Sequence, residues 1–372
     1  MINYKEELAA VRAEINAVDK ELIPLFDRRM ALSSRVANIK AKGNLAITDE
    51  AREREVIASA VAASDGSHDS EVASFARTLI ALSKIRQNQS LQLSDPVDFP
   101  LPAPSKPPGV TVGFQGVSGA WGEFAAGELF PGAEKQQLEY FEDVFTAVKS
   151  GRIVYGVLPI ENSQTGAIGE VYDLLRRHSC YIVGQMWVTV AQCLLGLPGA
   201  TLSEIREVFS HPEGFNQCRR FLKNRSWDLT ACRNTAVAAQ TVARKASNKF
   251  AAIGSRQAAE IHGLEVLAPD ITDNKNNKTR FIAIAAAPEY DETSGTTSIT
   301  FSTLHKSGAL CAVLESFNLA GINLSRIESR PVNGEKYRFF ADLQANIFSA
   351  ATQDALRQAA AQCDYFEVLG CY

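Results

Sequence analysis

Residues 8–40 read LAAVRAEINAVDKELIPLFDRRMALSSRVANIK and decide the fold of the N-terminal part of the chain. Apolar residues recur there at spacings of three and four, from Leu8 to Ile39, a repeat typical of one long helix that packs along a single face. Pro24 lies inside the repeat and predicts a local kink. One core position of the repeat is occupied by Arg29, so this helix carries a cation where an apolar side chain is expected.

Arg29 needs an anionic partner, because burying an unpaired charge is costly. That partner is either a carboxylate of the protein or a bound anion. Lys40 lies three turns further along, at ~16 Å of axial rise and nearly in phase, so both side chains can converge on a small dianion. Arg12 lies ~42 Å from Lys40 and can reach the same site only from a second, antiparallel copy of the helix. A functional Arg12 therefore predicts an obligate dimer.

The rest of the chain divides at a proline-rich stretch. Six of the 14 prolines fall between Pro96 and Pro108, where the chain can neither continue a helix nor pair as a central strand. We predict a multidomain protein with an all-α domain at 1–93, a linker at 94–108, an α/β domain at 109–286 and an α+β unit at 296–372. The last unit has the order strand, helix, strand, strand, helix, strand of a ferredoxin-like sandwich.

Composition excludes several functional classes. The net charge of −4 leaves no basic excess for nucleic acid or an anionic membrane surface. No apolar run reaches ~18 residues, so we expect no transmembrane helix, and the charged N-terminus is not that of a signal peptide. The seven cysteines and five histidines show no metal-ligand or disulfide spacing. We therefore expect a cytoplasmic protein without a metal or another cofactor.

Four polar clusters in the α/β segment fall at strand ends, where such folds place ligands. The first is the glycine-rich turn 116–122, which follows a predicted strand at 110–114. The others are Pro159–Ser163, predicted as a loop, then Ser210-His211-Pro212 with Gln217, and Asn277–Phe281 at the start of an apolar strand. Taken singly, each cluster is more often a tight turn, a helix cap or a strand-edge pair than a ligand site.

The N-terminal sequence, with TDEARERE at 48–55, resembles the all-helical AroQ-type chorismate mutases. The resemblance implies three helices per chain in an intertwined dimer. It implies that Arg12 of the partner copy and Arg29 bind the two carboxylates of chorismate. Lys40 and Gln87 would donate to the ether oxygen and Glu53 would accept from the ring hydroxyl. The full set of matching positions is Arg12, Arg29, Lys40, Asp49, Arg52, Glu53, Ser83 and Gln87, with Asp49 and Arg52 orienting Glu53.

Gln87 carries a consequence for the pH dependence. An amide donates a hydrogen bond at any pH, whereas a glutamic acid at this position would first have to be protonated. We therefore expect mutase activity to persist to mildly alkaline pH.

Three motifs of the α/β segment, taken together and in this order, resemble those of prephenate dehydratase. They are PIENS at 159–163, SHP at 210–212 followed by QC at 217–218, and TRF at 279–281. The resemblance implies two α/β lobes of the periplasmic-binding-protein kind with the active site in the cleft. Thr279 would assist the leaving hydroxyl and Arg280 would offer its charge to a carboxylate. The side chains implied to line and orient the substrate are those of Glu161, Asn162, Ser210 and Gln217.

The sequence departs from that family's pattern at two places. Ala120 and Gly122 replace hydroxyl residues in the glycine-rich turn, so any ligand contact there comes from backbone N–H groups. Glu213-Gly214 replaces a glutamine and a small apolar residue, and an additional carboxylate would repel an anionic substrate unless it points away.

Two motifs of the C-terminal unit resemble the ACT regulatory domain of prephenate dehydratases. They are Gly308-Ala309-Leu310 at a helix start and the strand motif Glu328-Ser329-Arg330-Pro331. Either alone is compatible with a helix cap or a salt-bridged strand end. The resemblance implies that both bind phenylalanine at a dimer interface and that phenylalanine inhibits the dehydratase by linkage.

The leading hypothesis is a bifunctional enzyme of phenylalanine biosynthesis that takes chorismate through prephenate to phenylpyruvate. A second hypothesis keeps the dehydratase and makes residues 1–93 an inactive dimerisation arm. A third is a non-catalytic amino-acid sensor on a solute-binding fold. Separate assays of chorismate consumption and phenylpyruvate formation distinguish the three.

Overall fold

The computed structural model describes residues 4–43, 45–91, 109–290, 292–333 and 336–372. The proline-rich linker predicted at 94–108 lies outside them. Among the described helices, none combines the length and the apolar character that crossing a bilayer requires. Within the same ranges, no group of three or more His, Cys, Asp or Glu side chains is placed to hold a metal ion.

The N-terminal segment is helical, as the apolar repeat predicts. It contains α1 (Tyr4–Lys42), α2 (Glu50–Ala62) and α3 (Asp69–Leu91). Helix α1 continues through Pro24. Asp49 caps α2, because its side chain accepts a hydrogen bond from the backbone N–H of Arg52 at 3.0 Å. Helix α3 packs against both α1 and α2.

The middle segment alternates strands and helices, as predicted. Its first part contains β1 (Thr111–Gln115), α4 (Trp121–Leu129), β2 (Glu134–Leu138), α5 (Phe141–Lys149), β3 (Tyr155–Asn162), β4 (Gly166–Ala167), α6 (Gly169–His178) and β5 (Tyr181–Thr189). Its second part contains β6 (Cys193–Gly196), β7 (Glu207–Ser210), α7 (Pro212–Gln217), α8 (Arg219–Leu222), β8 (Asp228–Ala231), α9 (Thr235–Lys245), β9 (Phe250–Gly254), α10 (Arg256–His262), β10 (Glu265–Ala268) and β11 (Lys278–Ala285).

Two sheets organise this segment. The first has the order β2-β1-β3-β11-β5, with β4 paired to β3, and the second has the order β10-β6-β9-β7-β8. Both faces of the first sheet are buried: Tyr155 and Val157 of β3 join one apolar cluster, and Leu158 and Ile160 join another. The chain passes from the first sheet to the second between β5 and β6, and returns between β10 and β11.

The C-terminal segment contains β12 (Thr297–Ser302), α11 (Ala309–Leu319), β13 (Leu324–Asn333), β14 (Lys336–Leu343), α12 (Ala350–Ala360) and β15 (Tyr365–Cys371). Its strands form one antiparallel sheet in the order β13-β14-β12-β15. Phe340 and Leu369 of this sheet join an apolar cluster of the first sheet, so the two sheets share a core.

The chain divides into two compact units. One holds the described residues of 1–97, 303–320 and 353–364, and the other holds those of 98–302, 321–352 and 365–372. Both sheets of the middle segment and the C-terminal sheet therefore belong to the same unit.

Candidate active sites

Arg29 lies half-buried against α3. Its guanidinium donates to the carbonyl of Leu79 at 2.8 Å and to the hydroxyl of Ser83. Among the described residues, no carboxylate lies within salt-bridge distance of it. Burial lowers the pKa of Arg29 from its ordinary value. Of the two alternatives for the partner of this cation, the geometry favours a bound anion.

Ser83 and Gln87 form the α3 side of this site. Both are only 8% exposed, and the side-chain oxygen Oε1 of Gln87 is buried without a hydrogen-bond partner among the described residues. Lys40 donates to the carbonyl of Ile47 at 2.6 Å. The structure therefore brings Arg29 and Ser83 into contact, and it leaves the side-chain oxygen of Gln87, an acceptor, without a partner among the described residues.

The α2 residues are arranged differently from the prediction. Arg52 is exposed and pairs with Glu55 at 2.7 Å, and Asp49 is used as the helix cap. Neither side chain orients Glu53 in this structure. Glu53 is instead ion-paired with Lys84 at 2.6 Å, and both side chains are largely buried. The apolar repeat gives no signal for Lys84, which sequence reasoning missed.

Arg12 is exposed on α1. It precedes Arg29 by ~25 Å of helix axis. One chain therefore does not bring Arg12 and Arg29 together.

A cavity of about 450 Å³ lies in the middle segment, where the chain crosses between the two sheets. Val190 and Gln192 of the first crossing line it, and so does Thr279 just after the second. Of the predicted dehydratase residues, Thr279, Asn162 and Gln217 line this cavity.

Asn162 holds Thr279 in a defined orientation. The Asn162 Nδ2 atom donates to Thr279 Oγ1 at 3.0 Å and to Asn277 Oδ1 at 2.8 Å, and its Oδ1 accepts from the backbone N–H of Gln164 at 2.9 Å. Because Thr279 Oγ1 accepts this bond, its own hydrogen remains available for an acceptor in the cavity.

Pro159–Ser163 is not the predicted loop, because β3 continues to Asn162 and pairs with β11. Asn162 lies opposite Thr279, and Glu161 lies opposite Arg280. A register shift between Arg280 and Phe281 explains why both Pro159 and Asn162 face the cavity.

The placement of Arg280, Glu161 and Ser210 in the substrate cavity is wrong for this structure. Successive side chains of a strand point to opposite faces, so Arg280 and Glu161 face away from Thr279. Arg280 is 5% exposed, and its Nη1 atom pairs with Asp342 at 2.5 Å. Burial alone would lower the pKa of Arg280, but Tyr372 and Asp342 raise it above its ordinary value.

Ser210 is fully buried and donates to the carbonyl of Ile253 at 3.1 Å. It lies beneath Gly214, where an added Cβ atom would collide with the Ser210 hydroxyl. Gly214 therefore lines the cavity while Ser210 supports it from behind. The backbone N–H of Glu213 donates to the His211 ring at 3.1 Å, so His211 also acts as a helix cap.

Three backbone N–H groups of the glycine-rich turn are already hydrogen-bonded to acceptors of the protein. The N–H groups of Gly116, Gly119 and Ala120 donate to Leu138 O, Glu123 Oε2 and Val117 O, respectively. Ala120 and Gly122 line the cavity without a hydroxyl. The alternative of a tight structural turn therefore accounts for these three amides.

Among the described residues, the charged side chains on the cavity wall, apart from histidine, are those of Glu213 and Arg233. Arg233 pairs with Glu139 at 2.8 Å and lies 4.6 Å from the centre of the Tyr140 ring. Gln192 also lines the cavity and donates to Gln217 Oε1 at 3.1 Å. Arg233 and Gln192 belong to none of the motifs, so sequence reasoning missed both.

Comparisons with known proteins address both segments. Residues 11–88 match the family model Chorismate mutase type II, and residues 112–289 match Prephenate dehydratase. The bifunctional chorismate mutase/prephenate dehydratase of Escherichia coli (strain K12) is 32% identical over 377 residues, covering 98% of this chain and 96% of that protein. This chain belongs to the bifunctional chorismate mutase/prephenate dehydratase family. It is an isomerase and a lyase of phenylalanine biosynthesis in one polypeptide.

Two further relatives bear on the dehydratase segment of this family member. Arogenate dehydratase/prephenate dehydratase 1 of Arabidopsis thaliana is 39% identical over 317 residues, covering 80% of this chain and 79% of that protein. A prephenate dehydratase from Arthrobacter aurescens, solved in complex with L-Phe, has a TM-score of 0.65 at 28% identity and covers 71% of this chain and 89% of its own.

The C-terminal motifs of the bifunctional chain lie on two elements. Gly308 is the residue before α11 and has a φ of +81°, and Ala309 and Leu310 begin the helix. On β13, Arg330 pairs with Asp173 at 3.2 Å, and Glu328 lies 3.8 Å from Arg326. Ser329 and Pro331 are exposed on the other face of this edge strand.

Proposed function

We propose that chorismate binds between α1 and α3, where Arg29, Ser83 and Gln87 meet. The observation that carries this assignment is a half-buried Arg29 whose contacts among the described residues are with neutral acceptors. The rearrangement to prephenate needs no nucleophile, so the site has only to hold a compact conformer and stabilise charge on the ether oxygen. Arg29 binds a carboxylate, and Lys40 and Gln87 donate to that oxygen.

We further propose that the mutase acts as a homodimer. The apolar positions of the α1 repeat between Leu8 and Ile39 are 41–66% exposed in the single chain. An apolar stripe of this length requires a covering surface, and a second copy of α1 would also supply Arg12. Val18→Glu is expected to give monomers by sedimentation and to abolish mutase activity. Ala17→Glu, adjacent but off the repeat, is the control, and a fully active monomeric Val18→Glu would contradict the shared site.

For the dehydratase, we propose that prephenate binds in the 450 Å³ cavity, with Thr279 at the leaving hydroxyl. The ring loses its carboxylate as CO2, and the electron pair of that C–C bond enters the ring as the C–O bond breaks. The hydroxyl leaves with a proton as water, and phenylpyruvate remains. Thr279 donates a hydrogen bond to the departing oxygen and the proton that completes the water molecule comes from solvent in the cavity, while Gln217 and Arg233 offer donors to the side-chain carboxylate.

The test of this assignment is Thr279→Ala. It is expected to abolish phenylpyruvate formation from prephenate and to leave chorismate consumption unchanged. Thr230→Ala, at an exposed position on β8, is the matched control. Retained dehydratase activity in Thr279→Ala would overturn the assignment.

A second candidate substrate for the same cavity is arogenate, in which an amino group replaces the keto group of prephenate. Glu213 favours it, because a carboxylate on the cavity wall attracts an ammonium group and repels a dianion. A relative named for both activities supports the same candidate. Glu213→Gln is expected to lower kcat/KM for arogenate and raise it for prephenate. Equal changes for both substrates would remove Glu213 as a determinant.

We also propose that the C-terminal segment is an ACT domain that binds phenylalanine and inhibits the dehydratase. The strand order of its antiparallel sheet, the two motifs and the L-Phe complex of a relative support this proposal. Titration calorimetry of the full chain with L-phenylalanine is expected to show binding, together with loss of dehydratase rate. Neither binding nor inhibition would refute the proposal.

A further inference from the structure

Strands β3 and β11 carry cavity residues on one face and buried charges on the other. The pair Asn162–Thr279 faces the cavity, and the neighbouring pair Glu161–Arg280 faces the C-terminal sheet. Each charged residue is therefore covalently adjacent to a residue of the dehydratase site. A displacement of the strand backbone at the charged pair therefore also moves Thr279 and Asn162.

The C-terminal sheet supplies the partners of these charges. Asp342 of β14 pairs with Arg280 at 2.5 Å, and Arg326 of β13 pairs with Glu161. Glu161 also lies 3.7 Å from Arg280, so the four groups alternate in sign. We call Glu161, Arg280, Arg326 and Asp342 the junction network. The side chains of its two arginines and Asp342 are at most 12% exposed, so water does little to screen them.

Asp342 is itself fixed from the side of the C-terminal sheet. Ser298 of β12 donates to its second oxygen, and Ser298 is 2.6 Å from the hydroxyl of Tyr372. The Tyr372 hydroxyl accepts from Arg280 at 3.0 Å. Arg280 is thus held by Asp342 of the C-terminal sheet and by Tyr372, which follows the last strand of that sheet. It also lies near Glu161, its partner on β3.

We propose that Asp342 is a positioning residue for the dehydratase site: by pairing with Arg280 it sets the place of β11 and hence of Thr279. The same network gives the C-terminal sheet a route to the cavity, because Arg326 lies on β13 two residues before the Glu328–Pro331 motif. A ligand that shifts β13 moves Arg326 and, through Glu161, the cavity strand β3. This regulatory part depends on the phenylalanine site proposed above.

Asp342→Asn in the full chain tests the proposal, because it removes the charge and retains the shape. A misplaced Thr279 is expected to lower dehydratase kcat by about tenfold to 100-fold, with KM nearly unchanged. The mutase rate should stay at the wild-type value, and inhibition should require more phenylalanine. Asp173→Asn breaks another ion pair between the same sheet and α6, at 3.2 Å from Arg330, and is expected to leave basal kcat unchanged.

Wild-type kcat in Asp342→Asn, or an equal loss in Asp173→Asn, would overturn the positioning role. Should Asp342→Asn fail to fold, Tyr372→Phe removes only one hydroxyl from Arg280 and Ser298. It is expected to lower kcat severalfold at constant KM, and an unchanged kcat would overturn the proposal. If the wild-type chain does not respond to phenylalanine, the regulatory route is wrong, while the effect on kcat still decides the positioning role.

Discussion

Replacement of Arg29 by methionine separates binding of a ligand from stability of the fold. In the free chain, Arg29 donates to Leu79 O at 2.8 Å and to Ser83. Ser83 also donates to Leu79 O at 2.6 Å, so this carbonyl keeps a partner after the substitution. The two hydrogen bonds that the charged Arg29 donates to neutral acceptors are worth ~1.5–3 kcal/mol each, and their loss is offset by removal of a half-buried cation. We expect Arg29→Met to unfold at nearly the wild-type temperature.

The effect on the mutase should be far larger. A carboxylate bound by two charge-assisted hydrogen bonds gains about 3–6 kcal/mol from them. At 1.4 kcal/mol per factor of ten, kcat/KM for chorismate should fall roughly 10²- to 10⁴-fold. The assay follows chorismate consumption and thermal unfolding together, with Arg28→Met, an exposed neighbour, as the control. A fall in kcat/KM of less than tenfold, or a large loss of thermal stability, would refute the inference that Arg29 binds an anionic ligand.

The remaining predictions concern Gln87, Gly214 and the cysteines. The mutase rate should change little between pH 6 and 8, because the amide of Gln87 does not titrate. In Gln87→Glu, the rate should fall steeply with rising pH. A steep fall in the wild-type chain would exclude the role of Gln87. Gly214→Ala should lower the free energy of unfolding by about 1–3 kcal/mol and reduce dehydratase activity, because the added Cβ atom collides with Ser210. A second substitution, Ser210→Ala, in the same chain should restore part of the stability. No recovery of stability would contradict the collision. Burial raises the pKa of Cys218 to about 12, whereas Cys311 is exposed. Alkylation at pH 8, followed by mass spectrometry, should therefore modify Cys311 before Cys218. Equal rates of alkylation at the two cysteines would contradict the burial of Cys218.

The helical segment was accessible to sequence reasoning because its signals are local. The apolar repeat defines α1, and Asp49, a residue type that favours helix N-caps, caps the next helix. The partner of Arg29 was not accessible, because it depends on α3, which lies 50 residues further along the chain. Only packing shows that the described residues in contact with this cation are neutral acceptors and not carboxylates.

In the dehydratase segment, motifs located the cavity but not every side chain in it. Thr279 and Arg280 are adjacent in one motif, yet strand geometry sends them to opposite faces. Gln192 and Arg233 lie in connections between elements, where no periodicity or motif marks them. They join the cavity because the chain crosses twice between two sheets, which is a property of the topology.

The central claim is that one chain carries two separate active sites, and phenylpyruvate formation by Arg29→Met tests it most directly. The variant is supplied with prephenate in one assay and with chorismate in another. We predict wild-type rates of phenylpyruvate formation from prephenate and almost none from chorismate. Loss of product from both substrates, or normal rates from both, would contradict the assignment of Arg29 to a mutase site distinct from the dehydratase cavity.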